Sequence, residues 1–109
     1  MNDTLDLTEQ SYLRAIAVSE FPTHAFTLRT NEDGITWVVL EPGAGRADLM
    51  RVTICRLDPC VMVMIEDHEA RRQFCSTVSV ADAVEFVRNA ADQAILTVMN
   101  AHPASTGLH

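Results

Sequence analysis

The sequence predicts an α+β domain of two layers, in which one helix precedes and one long helix follows a mainly antiparallel, five-stranded meander sheet. Two observations predict this class. Five short runs of apolar and polar residues, separated by turn residues, occupy His24 to Thr77. A helical repeat of apolar residues then begins directly after Ser79. We expect residues 1–101 to form this single domain and residues 102–109 to form a flexible tail.

A first helix is expected to start near Thr8, with Glu9 in its first turn. It should end at Phe21-Pro22, because proline lacks the backbone N–H that would continue the helix. One side of this helix carries Tyr12, Leu13 and Ile16.

The first two strands are predicted to form a hairpin. They are the alternating segments His24–Thr30 and Ile35–Leu40, with the turn signal of residues 31–34 between them. A four-residue loop pairs Phe26 with Val39, and likewise Leu28 with Trp37. These bulky residues would then share one face of the sheet.

The other three strands continue the meander. They are predicted at Leu49–Leu57, Cys60–Glu66 and Arg71–Thr77. A turn longer than two residues is expected around Asp58-Pro59, because proline cannot adopt the positive φ of a type I′ turn. With an even number of loop residues Ile54 shares its face with Val63, and Phe74 of the last strand lies on that same face.

The last helix begins at a capping-box-like pair, Ser79 and Asp82, and ends before Pro103. One broad arc of it is apolar and is expected to cover the sheet. The arc contains Val80, Ala83, Val84, Val87, Ala90, Ala91, Ala94, Ile95 and Val98. Leu96 breaks this pattern because it lies in the polar arc, and Phe86 lies at the edge of that arc.

Composition limits the function classes. The net charge of −7 argues against nucleic acid and anionic membranes as partners, because both attract basic surfaces. All eight basic residues are arginines, which excludes lysine-based covalent catalysis and the lysine of a phosphate-binding loop. No apolar run is long enough to span a membrane, and the N-terminus lacks a signal-peptide pattern. We therefore expect a cytoplasmic protein without a cofactor.

Three groups of residues could carry chemistry. Cys55, Cys60 and Cys75 would share a face with two methionines and offer soft ligands to Zn²⁺ or Cu(I), but their spacing suits packing in the interior better than a zinc site. His68 lies among acidic residues. This composition could serve acid–base catalysis, but an ordinary polar turn has the same composition. The loop of residues 43–45 lacks the lysine of a phosphate cradle. We predict no catalytic, cofactor-binding or metal-binding residue.

The second face of the sheet is predicted to be the functional surface. It mixes apolar and arginine side chains, and the two helices are expected to cover only the first face. An apolar patch without a cover usually marks an interface. With the outer side of the last helix, the candidate interface comprises Val38, Leu40, Met62, Met64, Phe86, Leu96, Arg29, Arg51 and Arg71.

Two function classes follow. The first is a small acidic, non-enzymatic interaction module, such as an adaptor, a chaperone or an immunity protein, which acts as a homodimer and docks a protein partner. The alternative is a small-molecule binding protein or a minor enzyme with a pocket between the sheet and the helices, near Trp37, Tyr12 and Phe74. The first class predicts a flat apolar face, whereas the second predicts an enclosed cavity with convergent polar groups.

Overall fold

The computed structural model describes residues 3–46 and 49–101, with side chains as far as Asp92. The elements are α1 (Leu7–Glu20), β1 (His24–Thr30), β2 (Thr36–Pro42), β3 (Arg51–Leu57), β4 (Cys60–Glu66), β5 (Arg72–Thr77) and α2 (Val80–Ala101). The strands form one antiparallel sheet in the order β1-β2-β3-β4-β5. The predicted α+β class, with its meander between two helices, is confirmed. The predicted tail, residues 102–109, lies outside the described residues.

Both helices begin at side-chain caps. Asp6 Oδ1 accepts a hydrogen bond from the backbone N–H of Glu9 at 2.8 Å, and Glu9 Oε1 accepts one from the N–H of Asp6 at 3.0 Å. This capping box starts α1 at Leu7, one residue before the predicted start. At α2, Ser79 Oγ accepts a hydrogen bond from the N–H of Asp82 at 3.1 Å, which confirms the predicted cap.

Both helices pack on the same face of the sheet. Leu13 and Ala17 of α1 join Val84 and Val87 of α2 in one buried cluster. The sheet contributes Val38, Leu40, Val52, Ile54, Val61, Val63 and Ile65 to this cluster. We call this side the helix-covered face. The opposite side is called the helix-free face, because neither α1 nor the described side chains of α2 pack on it.

The segment before α1 is anchored at the end of β2. Leu5 is only 1% exposed and belongs to the core cluster. Its backbone N–H donates to the carbonyl oxygen of Thr36 at 3.1 Å, and the N–H of Thr36 donates to Thr4 Oγ1 at 2.7 Å. An ion pair between Arg56 of β3 and Glu9 also ties the first turn of α1 to the sheet.

The β1–β2 turn has five residues, 31–35, where four were predicted. Asn31 Oδ1 accepts hydrogen bonds from the backbone N–H groups of Asp33 and Ile35 at 2.9 and 3.0 Å. Gly34 adopts a φ of +78°, which glycine reaches without steric cost. The extra residue shifts the pairing, so the predicted register of this hairpin is wrong by one residue.

The β4–β5 turn repeats this construction over residues 67–71. Asp67 Oδ1 accepts hydrogen bonds from the N–H groups of Glu69 and Arg71, both at 2.9 Å. Ala70 stands where the first turn has glycine, with a φ of 65°. Five loop residues again change the parity of the pairing, so the predicted face of Phe74 is also wrong.

Because of these two turns, the residues of β2 and β5 that face the helices are the ones predicted to lie on the opposite face. Leu28 pairs with Val38 and Phe26 pairs with Leu40, which puts Val38 and Leu40 on the helix-covered face. They are buried there, at 0% and 5% exposure, and cannot belong to the predicted second-face interface. In β5, Cys75 pairs with Val63 on the helix-covered face.

The β3–β4 turn is shorter than predicted. Leu57 pairs directly with Cys60, and the Asp58–Pro59 bond between them is cis. The positive φ that excludes proline belongs to type I′ turns and not to turns with a cis proline. Because two is an even number, the predicted shared face of Ile54 and Val63 is confirmed.

Within the described residues, no helix combines the length and the apolar character needed to cross a membrane.

The paired turns predict opposite effects of opposite substitutions. No heavy atom lies within 4 Å of a Cβ built on Gly34, so Gly34→Ala should cost only its positive φ, about 1–2 kcal/mol of unfolding free energy. Ala70→Gly relieves the steric cost of the positive φ at Ala70 and should be neutral or stabilising by up to about 1 kcal/mol. The gain is small because glycine also raises the conformational entropy of the unfolded chain. Urea unfolding measures both. Equal destabilisation by the two substitutions would contradict this account of the turns.

Two leucines near the N-terminus provide a test of the anchored segment. Leu5→Ala should lower the unfolding free energy by about 2–5 kcal/mol, because it leaves a cavity in the core. Leu7→Ala, at a position that is 77% exposed, should change it by no more than about 0.5 kcal/mol. Denaturant titrations of the two variants and the parent give the comparison. A small effect at Leu5 would show that the segment is not docked in solution.

Candidate functional site

The helix-free face is built from alternate residues of all five strands. One row across its middle contains Thr27, Val39, Thr53, Met64 and Phe74. Towards one end of the strands lie Arg29, Trp37, Cys55, Met62 and Ser76. Towards the other end lie Glu41, Arg51, Glu66 and Arg72.

The large apolar side chains of this face lie in its middle row and in the row that contains Trp37. Phe74 on the edge strand β5 is 63% exposed. Met64 lies directly opposite it on β4, and Met62 is on the same face two residues before Met64; both methionines are partly exposed. Trp37 of β2 is also partly exposed, whereas Val39 is only 6% exposed. The face therefore presents aromatic and thioether groups to its surroundings.

A row of alternating charges crosses the same face. Arg29 binds Glu41 at 3.1 Å, and Glu41 also binds Arg51 at 2.8 Å. Arg51 then reaches Glu66 at 3.3 Å, and Glu66 also binds Arg72 at 3.2 Å. The five residues come from β1, β2, β3, β4 and β5 in turn. We call them the charge row.

Each carboxylate of the charge row is held between two guanidinium groups. The hydrogen bond from Arg51, assisted by Arg29, holds the pKa of Glu41 below its usual range although partial burial opposes this shift. Glu41 in turn raises the pKa of Arg51. The three arginines and two glutamates of the charge row give the strand residues of the helix-free face a net charge of +1.

Four of the predicted interface residues lie on the helix-free face. They are Met62, Met64, Arg29 and Arg51. Arg71 does not, because it closes the β4–β5 turn through Asp67 at 2.9 Å and Glu69 at 3.2 Å. Its neighbour Arg72 occupies the face instead.

Two of the predicted interface residues are in α2. Phe86 is partly buried and packs against the core, so it belongs to the helix-covered side. The side chain of Leu96 lies outside the described residues. The helix-free face also contains Trp37, Val39 and Phe74, which were not predicted there because turns with an even number of residues give their strands the opposite parity.

The space between the helices and the sheet is a narrow crevice of about 10 Å³, roughly the room that one water molecule needs. Apolar side chains line it, among them Leu13, Ile16 and Phe21. Trp37 and Phe74 lie on the opposite side of the sheet, so the structure does not bring together the aromatic residues proposed for a pocket. This crevice has neither the size nor the polar groups of a ligand site.

The three cysteines do not share a face. Cys55 and Cys60 are on the helix-free face, whereas Cys75 is on the helix-covered face. Burial, with a further contribution from Asp3, raises the pKa of the Cys55 thiol, which disfavours the thiolate that binds metals. In the part of the chain that the structure describes, no group of three or more histidine, cysteine, aspartate or glutamate side chains could hold a metal ion.

His68 lies in the exposed β4–β5 turn, where its Nε2 is 3.6 Å from a carboxylate oxygen of Glu69. The neighbouring Asp67 closes the turn, because its carboxylate accepts hydrogen bonds from the backbone N–H groups of Glu69 and Arg71 and from the Arg71 side chain. These hydrogen bonds lower the pKa of Asp67, which suits an acceptor that stays ionised.

Comparison of the chain with protein-family models, with curated proteins and with solved structures finds no match.

The charge row makes a prediction about pH. Because Arg51 is the main cause of the low pKa of Glu41, Arg51→Gln should move the titration of Glu41 upward, towards the usual range. A lowered folded-state pKa means that the pairing stabilises the fold above the unfolded-state pKa and that this contribution is lost as pH falls through the folded-state pKa. Carboxyl ¹³C NMR follows the titration.

Arg14→Gln is the matched control, because Arg14 lies over the Phe26 ring instead of on Glu41. It should leave the Glu41 midpoint unchanged. An identical midpoint in the parent and in Arg51→Gln would show that the ion pair does not form in solution.

Proposed function

We propose that this protein is a non-enzymatic interaction module that binds a protein through the helix-free face of its sheet. One observation carries the proposal. Trp37, Met62, Met64 and Phe74 lie together on a face that no helix packs on within the described residues. Exposed apolar surface bordered by polar groups marks interaction sites on protein domains.

The composition of the face supports protein as the ligand. An apolar centre bordered by charged side chains is the arrangement of protein–protein interfaces, in which aromatic residues, methionine and arginine are enriched. Methionine side chains adapt their shape to a partner surface. A small molecule instead needs a concave pocket that buries most of its surface.

The acidic groups near this face are engaged in structural contacts. Glu41 and Glu66 each bind two arginines, and Asp67 accepts the hydrogen bonds of its turn. A general base must instead be available to a substrate proton. These contacts support binding rather than catalysis as the role of the face.

We also propose that the protein works in the cytoplasm. Its three cysteines are free, and a reducing compartment keeps thiols in that state.

Site-specific photocrosslinking in cells of the source organism tests the binding role. A photoreactive phenylalanine analogue is placed at Phe74, which is 63% exposed on the helix-free face, and in a control at Val18, which is 71% exposed on α1. Both positions reach the surface to a similar extent, so exposure alone cannot account for a difference. We expect protein crosslinks at position 74 at several times the yield found at position 18. Equal yields at the two positions would contradict the proposal.

A further inference from the structure

Resting on the proposed function, we infer that the protein seated on the helix-free face is a second copy of this chain, packed face to face in a two-fold dimer. Three properties of the face lead to this occupant. They are its charge relative to the rest of the chain, its size and the arrangement of its rows.

The charge distribution favours contact through this face. The chain carries −7 in total, whereas the strand residues of the helix-free face carry +1, which leaves −8 on the remaining residues, including Asp3 near Cys55. Two copies that meet through any other side bring acidic surfaces together, and that repulsion opposes association. Two copies that meet through this face do not, because Glu41 and Glu66 are each compensated within their own chain. A basic partner, in contrast, would be drawn to the acidic remainder.

The face is large enough for a stable dimer. Five strands spaced about 4.8 Å apart, each about seven residues long, cover a rectangle of about 24 by 23 Å. This is about 550 Å² for each copy before the relief of the side chains is counted, and the total of about 1,100 Å² exceeds the roughly 1,000 Å² that a specific interface needs.

The rows of the face are compatible with a two-fold axis. Four residues of the charge row, Glu41, Arg51, Glu66 and Arg72, lie towards one end of the strands, and Arg29 reaches Glu41 from the other end. The large apolar side chains lie in the middle row and in the row at the other end. An axis that runs across the strands along the middle row seats the middle rows of the two copies on each other, so that Met64 meets Met64 and Phe74 meets Phe74 of the second copy. The four charge-row residues of each copy other than Arg29 then lie at opposite rims, where arginine and glutamate remain hydrated. Paired sheets of this kind stack about 10 Å apart.

Sedimentation velocity of the purified protein over a range of micromolar concentrations tests the inference. We expect the parent to be a dimer, and Met64→Glu and Phe74→Glu each to weaken the dimer at least tenfold. Phe74 is exposed on an edge strand, so its substitution should preserve the fold even if Met64→Glu does not. Far-UV circular dichroism checks that each variant is folded. Val18→Glu adds the same charge on exposed α1 and should remain as dimeric as the parent.

Each of the other outcomes overturns the inference in a distinguishable way. A parent that is monomeric at every concentration, while position 74 crosslinks to a different protein in cells, refutes the second copy and leaves the proposed function standing. A monomer without crosslinks at position 74 refutes both. A dimer that survives both glutamate substitutions uses another surface. A crosslink from position 74 to residues 102–109 of the same chain shows that the face is covered from within.

Discussion

The sheet depends on two side-chain oxygens, Asn31 Oδ1 and Asp67 Oδ1, each of which holds two backbone N–H groups of a five-residue turn. Side chains alternate between the two faces of a strand, so the number of turn residues determines which alternate residues of the next strand face the helices. In both of these turns that number is odd. Val38 and Leu40 thereby enter the core, and Trp37, Val39 and Phe74 reach the other face. Both the core and the candidate interface follow from this count.

The sequence predicted the order and type of every element and the boundaries of most, because these depend on local signals. The cap at Ser79, the break at Phe21-Pro22 and the alternation in His24–Thr30 are all short-range features. The faces of β2 and β5 could not be predicted in the same way. Residues 37–40 are apolar at every position, so either parity buries two large side chains. Only the turn distinguishes the two, and Ala70 lacks the glycine signal of a positive φ.

The candidate site shows the same division. Methionines 62 and 64 were placed correctly, because the β3–β4 turn keeps the even parity that was assumed. The charge row was not foreseen, since its residues come from five strands and meet only in the correct register. Its two glutamates directly follow apolar runs, and in the sequence such a position indicates only the end of a strand and not an ion pair.

The charge row also determines what the sheet loses when an edge strand separates. If β1 or β5 detaches, Arg29 or Arg72 leaves with it, but the glutamate left behind keeps its bond to Arg51. The three inner strands thus retain a complete Glu41–Arg51–Glu66 triad, and no carboxylate is left without a counter-ion. Fraying at either edge is therefore a graded event, and the central strands can keep their charge balance while a margin of the sheet opens and closes.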